Sequence, residues 1–419
     1  MMLLLYTILI RIYQGSIVLA SIWNSKARLW VNGRKNILKK LKQELKPNEK
    51  RVWFHCASLG EFEQGRPVIE AFKLQHPEFK IVLTFFSPSG YEIRKNYEGA
   101  DYIFYLPLDT KSNAEKTIFF IQPKLVFFIK YEFWYYYFTE LNTKNIPIYL
   151  VSAIFRPDQL FFKWYGSFYS DLLKKISHFF VQNESSAILL NSIGITNVTV
   201  SGDTRFDRVY AISKNKKTLP LISEFKQDHK LFIAGSTWPE DEKILMNLLT
   251  DMSKSNSPLK FIIAPHEISE SKIKTLSSSL EEKGIKYLKY SEAKEETIKE
   301  FNVLIIDNIG MLSSLYQYGE IAFIGGGYGK GIHNILEAAT FGLPILFGPN
   351  YQKFQEAKDL IQIKGAFCIQ DAAGLITQTG LFLNSETSLK NAAEVSREYV
   401  VSMLGATNIV MHYTEQFFL

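Results

Sequence analysis

Cysteine is almost missing from this chain: Cys56 and Cys368 are the only two among 419 residues, far apart in sequence. They can build neither a disulfide framework nor a cysteine-based zinc site, so a reducing compartment is the default. Charge is sparse as well. Only 21% of residues are charged, and 48 basic side chains against 42 acidic ones leave a net +6. That excess is too small and too diffuse to argue for nucleic acid, but it suits an anionic membrane surface or anionic substrates. No His/Cys/Asp cluster has metal-ligand spacing, and no short-period repeat is present. Disorder is excluded by composition, because the chain is 47% hydrophobic with 32 Phe and 22 Tyr. Its length predicts two or three domains, each with a real core, and 14% aromatic residues suit a protein that handles rings, sugars or lipid.

One long apolar run stands out. Residues Met1 to Trp23 carry a single charge, Arg11, and the stretch Lys26 to Arg51 then holds ten Lys or Arg against Glu44 and Glu49. About 20 apolar residues are needed to span a bilayer, so this run is just long enough. A charge near mid-span costs roughly 2.5–3.5 kcal/mol, which favours a shallow or tilted anchor. The basic stretch is expected to stay cytoplasmic against anionic headgroups. Val18-Leu19-Ala20 also fits a signal-peptidase site, but no Lys or Arg precedes the apolar run, as a cleaved signal requires. No second transmembrane segment is predicted.

Beyond Arg51, short β-branched or aromatic runs alternate with amphipathic stretches. Strands are predicted at Arg51–His55, Ile81–Phe86, Tyr102–Tyr105, Leu125–Ile129, Ile148–Ser152, His178–Val181 and Val198–Val200. After a polar linker near 210–228 the pattern restarts. The second set is Leu231–Ala234, Phe261–Ala264, Ile285–Tyr287, Val303–Ile306, Ile321–Ile324 and Pro344–Phe347. Continuous apolar strands with helical spacers imply α/β architecture: two doubly wound Rossmann-like domains, each with a parallel sheet covered on both faces. They are expected to face a cleft at the carboxyl ends of their strands.

Strand-to-helix turns are where such domains hold anions, because helix N-termini attract phosphate and carboxylate. After the first strand comes Ser58-Leu59-Gly60-Glu61, where Glu61 is either a cleft-facing carboxylate or the N3 partner of Ser58 in a capping box. Glu132 and Trp134 follow the strand Leu125–Ile129 and suit sugar binding, unless Glu132 is merely solvated and Trp134 core. Gly202 to Asp207 precedes the linker, with Arg205 placed to reach across the cleft or to form an interdomain salt bridge. Ser236 and Thr237 close the first strand of the second half. The acidic Glu240-Asp241-Glu242 behind them answers a helix macrodipole rather than a metal. The run Gly325 to Gly331 has five glycines in seven residues, so its backbone, Gly326 and Gly327 included, can approach a ligand and present N–H groups to phosphate. Asn334 and Glu337 follow at a spacing that shares one helical face, where a carboxylate accepts hydrogen bonds from ribose hydroxyls. It is neither a Walker A loop nor a dinucleotide fingerprint.

Taken in order and spacing, Ser58–Glu61, Glu132-Phe133-Trp134, Gly202–Asp207, Ser236-Thr237, Gly325–Glu337 and Gly348-Pro349 resemble one family. It is the membrane-associated 3-deoxy-D-manno-octulosonic acid (Kdo) transferases of lipopolysaccharide synthesis. The resemblance implies the two-domain glycosyltransferase B (GT-B) fold and inverting transfer of Kdo from CMP-Kdo to the lipid A precursor, lipid IVA. It implies no metal or other cofactor, no nucleic acid, and work at the cytoplasmic face of the inner membrane. It divides the chain into an anchor (1–25), an acceptor domain (26–212), a nucleotide-sugar domain (213–395) and a helical tail (396–419). By position it makes Glu61 the general base, and assigns Glu132 and Arg205 to transition-state stabilisation. Ser236, Thr237, Pro265, His266, Ile309, Gly310, Met311, Gly326, Gly327, Asn334, Ile335, Leu336 and Glu337 fall on the donor-binding stretches. The chain departs from the family pattern at four places. His266 replaces an Arg, Met311 a Glu and Arg205 a Lys, and Ile154-Phe155-Arg156-Pro157 replaces Arg-Leu-Ser. Two other readings fit the residues: a GT-B transferase using a UDP-sugar and a lipid acceptor, and a non-catalytic membrane-tethered binding protein of the same fold.

Overall fold

Six consecutive buried residues, Arg51–Cys56, make the first strand, β1. In the computed structural model, which describes residues 2–255 and 259–418, it belongs to a sheet of seven parallel strands. The others are β2 (Lys80–Phe85), β3 (Tyr102–Tyr105), β4 (Pro123–Ile129), β5 (Ile148–Ala153), β6 (His178–Val181) and β7 (Val198–Val200). Their spatial order is β3-β2-β1-β4-β5-β6-β7. The chain moves outward from β1 to β3, then restarts on the other side at β4. The register sets His55 of β1 beside Phe128 of β4. That reversal is a topological switch point, and in open α/β sheets ligands bind outside the carboxyl ends of the strands there.

The second sheet repeats the device. Its strands are β8 (Lys230–Thr237), β9 (Leu259–Pro265), β10 (Tyr287–Lys289), β11 (Val303–Ile305), β12 (Ile321–Ile324), β13 (Ile345–Phe347) and β14 (Ala366–Cys368). All are parallel in the order β10-β11-β9-β8-β12-β13-β14, with the switch between β8 and β12. Near-continuous burial along both sets of strands fits sheets covered by helices on both faces. Every strand expected in the first half lies within two residues of its predicted bounds. In the second half, Ile285–Tyr287 is displaced to Tyr287–Lys289, and β14 is an addition.

The chain divides into two compact units: unit 1 is Met1–Arg208 with Leu404–Leu419, and unit 2 is Val209–Met403. The polar stretch read as a linker is mostly helical, since Thr204–Lys214 and Pro220–Lys226 are both helices. Pro220 opens the second of these at the position where its missing N–H costs nothing, and Ile222 and Phe225 bury its inner face. The last helix, Ala406–Phe418, returns to unit 1, where Val410 and Met411 join the core beside Phe72 and Phe79. Asp207 secures its start by accepting the N–H groups of Gly405 and Thr407 and the Thr407 hydroxyl.

The apolar N-terminal run forms one helix, Met2–Ala20, with no buried residue. Among the described residues it is the one helix long and apolar enough to cross a membrane. A stripe of it rests on the remainder of unit 1. The Tyr6 hydroxyl donates to Asp109, Thr7 and Tyr136 share a hydroxyl–hydroxyl bond of 2.6 Å, and Tyr13 stacks on Phe86. Leu4, Leu5, Ile8, Leu9 and Ile12 are exposed.

Asp109 also accepts the backbone N–H groups of Tyr136 and Tyr137, which open the helix Tyr135–Thr143. Burial raises its carboxyl to about 6 despite these donors, which favour the charged form. The folded chain therefore holds this proton more tightly than the unfolded chain does. That contribution is full at low pH and disappears as pH rises from about 4 to 6, leaving a buried charge that costs about 3 kcal/mol at neutral pH. Asp109→Asn keeps an acceptor and removes the charge. Its melting temperature relative to the parent should climb between about pH 4 and pH 6 and then level off. A difference that stays flat with pH contradicts this account of Asp109.

Candidate active site

Unit 1 gathers its candidate groups at the β1/β4 switch. Ser58 caps the helix Leu59–Gln75 from an extended conformation, its Oγ accepting the Gly60 N–H at 3.2 Å. The Ser58 hydroxyl in turn donates to the Glu61 carboxylate. The reciprocal capping box expected here is thus not the arrangement found. Glu61 is bonded through the Ser58 side chain rather than to its backbone N–H, and it stays half-exposed in the first helical turn. A carboxylate there is stabilised by the helix N-terminus.

Glu132 is neither a freely solvated charge nor an isolated surface group. Its Oε2 accepts the Trp134 indole N–H at 2.7 Å and is 3.2 Å from Nε2 of His55. His55 is fully buried on β1 and was not singled out from sequence. Its Nδ1 lies 2.8 Å from the Thr84 hydroxyl, which already accepts the Trp53 indole N–H at 2.8 Å. The Glu132 carboxylate can only accept, so its bond to His55 puts a proton on Nε2, and Nδ1 of the neutral ring then accepts from the Thr84 hydroxyl. A relay through Trp53, Thr84 and His55 runs from the core to one carboxylate oxygen of Glu132, which Trp134 approaches from the other side. Trp134 is committed to the same carboxylate, and its ring packs on Phe86 with centroids 4.7 Å apart.

Arg205 pairs within unit 1. Its Nε donates to Asp203 Oδ2 at 2.8 Å, and its backbone N–H to Oδ1 at 2.9 Å. Gln64 adds a third bond to Oδ1. Burial pushes the Asp203 carboxyl up, but the Arg205 guanidinium and these donors outweigh it and hold the group below the usual carboxylate range. Arg205 thus has a local partner in Asp203, just after the turn at Gly202 (φ +88°). Tyr131 ties the groups together. Burial raises its phenol, Arg156 and Arg205 oppose that rise, and Asp203 and Glu61 add to it. The Cys56 thiol is pushed up by burial and further by Glu61, Glu132 and Glu63. Two carboxylates and a guanidinium thus share one neighbourhood at the end of β1.

Unit 2 gathers its groups at the β8/β12 switch, though not as a loose amide cradle. Gly325 and Gly327 are required by close backbone contact. A Cβ on Gly325 would fall 2.2 Å from the Ser236 carbonyl oxygen, and one on Gly327 would fall 2.4 Å from the Gly348 N. The loop's N–H groups are largely spent within the protein. Gly325 donates to Gly235, Gly326 to the buried Asp241 carboxylate at 2.7 Å, and Gly329 and Gly331 both to the Gly326 carbonyl. The glycine run is a packed, rigid loop. Asp241 also accepts the Trp238 N–H, so it fastens that loop to the start of the helix Pro239–Lys254, and Glu242 accepts from the Thr237 hydroxyl. These bonds engage two of the three acidic residues.

The expected helical face bearing Asn334 and Glu337 is corrected as well. The helix there is only Leu336–Ala339. Asn334 precedes it, accepting the Leu336 N–H and donating to Glu337 Oε1 at 3.1 Å. Ile335 and Leu336 are core side chains, leaving only their backbone for a ligand. Glu337 acts electrostatically on the buried Tyr316, whose hydroxyl lies against Gly235. Ile309 is 90% exposed, and Gly310 turns the chain with φ +92°. Leu312 behind it touches Gly235. Pro265 is buried at the end of β9, and His266 beside it is exposed. Among the described residues, no group of three or more His, Cys, Asp or Glu side chains is placed to hold a metal.

Residues 32–208, which contain all seven strands of the first sheet with their turns, match the model of a family described as 3-deoxy-D-manno-octulosonic-acid transferase (kdotransferase). Two 3-deoxy-D-manno-octulosonic acid transferases extend the likeness. That of Aquifex aeolicus is 28% identical over 361 residues, covering 85% of this chain and 92% of its own. That of Rickettsia bellii is 28% identical over 359 residues, covering 83% and 84%. Among solved structures, a UDP-GlcNAc 2-epimerase from Neisseria meningitidis bound to UDP-GlcNAc superposes with a TM-score of 0.61. It is 17% identical, over 87% of this chain and 100% of its own, and shares the fold alone.

Proposed function

We propose that this chain is a glycosyltransferase of the Kdo transferase family it resembles, and that it moves Kdo from CMP-Kdo to the lipid A precursor, lipid IVA. The observation that carries the reading is Glu61, a half-exposed carboxylate at the switch point of the domain matched to that family. In the proposed step the acceptor hydroxyl oxygen bonds to the anomeric carbon of Kdo on the face opposite the phosphate. The carbon–oxygen bond to phosphate breaks, CMP leaves with the electron pair, and Glu61 takes the hydroxyl proton. One such displacement inverts the anomeric centre. The Glu132 carboxylate, fixed by His55 and Trp134, opposes the positive charge that develops on the sugar ring. Arg205, fixed by Asp203, meets the negative charge of the donor.

Unit 2 takes the nucleotide in this reading. Glu337 receives the ribose hydroxyls, the backbone at 309–311 meets the base, and Ser236, Thr237 and His266 lie at the phosphate end. Ser236 has φ +54°, a strained setting for a non-glycine residue of the kind that concentrates at ligand sites. We further propose that no metal takes part and that the helix Met2–Ala20 with the basic Lys26–Arg51 stretch holds the chain to the cytoplasmic face of the inner membrane. The exposed apolar side chains of that helix and the ten basic residues behind it support this, as does an acceptor that is itself a phosphorylated lipid.

Competition binding with the detergent-solubilised protein tests the donor assignment. CMP is expected to displace a labelled cytidine nucleotide and UDP is not, with the same result in excess EDTA. Displacement by UDP rather than CMP would sink the Kdo reading in favour of a UDP-sugar, and loss of binding in EDTA would sink the metal-free one.

A further inference from the structure

The helix Met2–Ala20 is long enough to cross a bilayer, but its contacts favour another pose. Its half-buried residues are Tyr6, Thr7, Ile10, Gln14, Ile17 and Ala20, and at about 100° per residue they share one side. They run from the second turn to the last, roughly 21 Å at about 1.5 Å of rise per residue. The helix thus lies along unit 1 for most of its length, pinned by the bonds of Tyr6 to Asp109 and of Thr7 to Tyr136. Were it to span, the same bonds would carry Asp109 and Tyr136 to hydrocarbon depth. The opposite side holds Leu4, Leu5, Ile8, Ile12 and Leu19, all exposed. Arg11 stands on the border between the two sides and donates to Gln14 at 3.2 Å. The charge that breaks the apolar run is therefore an edge group, from which a long side chain reaches water.

A second apolar feature adjoins this helix. Trp164 is 93% exposed, with Leu160 and Tyr165 exposed beside it. The turn that presents them is built rather than loose. The Gly166 N–H donates to the Lys163 carbonyl at 2.8 Å, and a Cβ on Gly166 would overlap the Leu160 carbonyl oxygen. Phe162 packs on the buried Phe155, and Phe161 on Phe155 and Phe133. Two residues past the turn, Phe168 stacks on Tyr135 with centroids 5.0 Å apart and lies 6.3 Å from Tyr6. The loop is therefore continuous with the N-terminal half of the helix. Trp, Tyr and Lys side by side are the residues that collect at the headgroup level of a bilayer, and adjoining exposed apolar side chains mark a contact surface.

We propose that the helix Met2–Ala20 lies flat in the bilayer interface instead of crossing it, and that the loop Leu160–Tyr165 inserts beside it, the two forming one membrane-docking face. Its partner is an anionic phospholipid surface. Arg11, Lys26, Arg28 and Lys163 supply cations on these segments, and no acidic residue precedes Glu44. The inference rests on the membrane reading above and gives it a pose and a second contact. A helix lying flat and a loop beside it define a plane. Unit 1 is then held at a fixed tilt, with the carboxyl end of β1 at a constant height above the lipid.

Sealed membrane vesicles with the cytoplasmic face outward, made from cells producing the full-length protein, test the pose. Cys368→Ser leaves only the buried Cys56 as a native thiol. In that background Met2→Cys should react with a membrane-impermeant maleimide as completely as it does after detergent opens the vesicles. Reaction only after opening would place the N-terminus across the bilayer and overturn the proposal. The loop is tested on vesicles of phosphatidylethanolamine and phosphatidylglycerol with brominated acyl chains. The parent should lose more tryptophan fluorescence to the bromines than Trp164→Ser does, and the variant should partition roughly tenfold more weakly. Trp164 is almost wholly exposed, so the variant should melt as the parent does. Quenching or partitioning unchanged in Trp164→Ser would overturn the loop's part in the face. A parent protein that binds no vesicles and stays in the soluble fraction would instead overturn the membrane reading on which the pose rests.

Discussion

Glu61→Ala is expected to slow Kdo transfer by about 10²–10⁴-fold while leaving the affinity for CMP unchanged. The loss is chemical rather than structural. Glu61 is half-exposed, and the helix keeps its cap because Ser58 still accepts the Gly60 N–H. Removing the carboxylate costs a few tenths of a kcal/mol of helix-dipole stabilisation, up to about 1 kcal/mol, so the melting temperature should barely move. Glu61→Gln makes the sharper comparison. It can still accept the Ser58 hydroxyl proton into a hydrogen bond, but it cannot take a proton from the acceptor. It should therefore be as slow as the alanine variant. A glutamine variant at the parental rate would remove Glu61 from the role of base. The CMP affinity is the control, because the groups proposed to hold CMP lie in unit 2 and Glu61 in unit 1.

The second large effect is expected at Arg205, where stability and activity should separate. Arg205→Ala strips the guanidinium from Asp203, a fully buried carboxylate then left with the Gln64 amide and one backbone N–H. Breaking a buried ion pair on one side costs about 3–5 kcal/mol, so a large fall in melting temperature should accompany loss of transfer. The paired variant Arg205→Ala/Asp203→Asn removes the stranded charge. Its stability should recover substantially, while its activity should not. The carboxyl of Asp203 is depressed in the fold, so its contribution is present above the unfolded carboxylate pKa and is lost on acidification through the folded one. The stability gap between parent and Arg205→Ala should accordingly narrow as pH falls below about 4. Arg205→Lys keeps the charge but loses the Nε–H geometry, and should be intermediate in both respects. If the double variant regained transfer along with stability, Arg205 would be a structural residue with no part in the reaction.

Much of this molecule was legible before any coordinates. Runs such as Val52-Trp53-Phe54 and Phe127-Phe128-Ile129 are buried on both faces of a parallel sheet, and that is why they read as strands. Glu61 was legible for a related reason, since a helix-start pattern directly after a buried strand places it at a carboxyl end. Some misreadings are local, and others turn on a contact distant in sequence. Ile285 is as apolar as a strand residue, yet its N–H closes the C-terminus of the helix Glu270–Glu282 by bonding to Leu280, pushing β10 two residues along. β14 is three residues long, too short to carry a period. The glycine run reads as an open phosphate loop until Asp241, some 85 residues earlier, is seen to occupy the Gly326 N–H. The relay Trp53–Thr84–His55–Glu132–Trp134 depends on three strand ends meeting. A lone histidine in an apolar strand is the one signal that could have found it. The hydrogen bond from the Trp238 indole N–H to His333 likewise joins residues far apart in sequence, and no spacing announces it.

The most direct test of the central claim is the mass of the acceptor after reaction. The purified full-length protein, lipid IVA and CMP-Kdo regenerated in situ should yield acceptor heavier by one or more Kdo units, and Glu61→Ala should leave it unchanged. Acceptor of unaltered mass from a folded, membrane-bound parent protein would contradict Kdo transfer by this chain. Acceptor modified equally by the parent and by Glu61→Ala would contradict the base on which the mechanism rests.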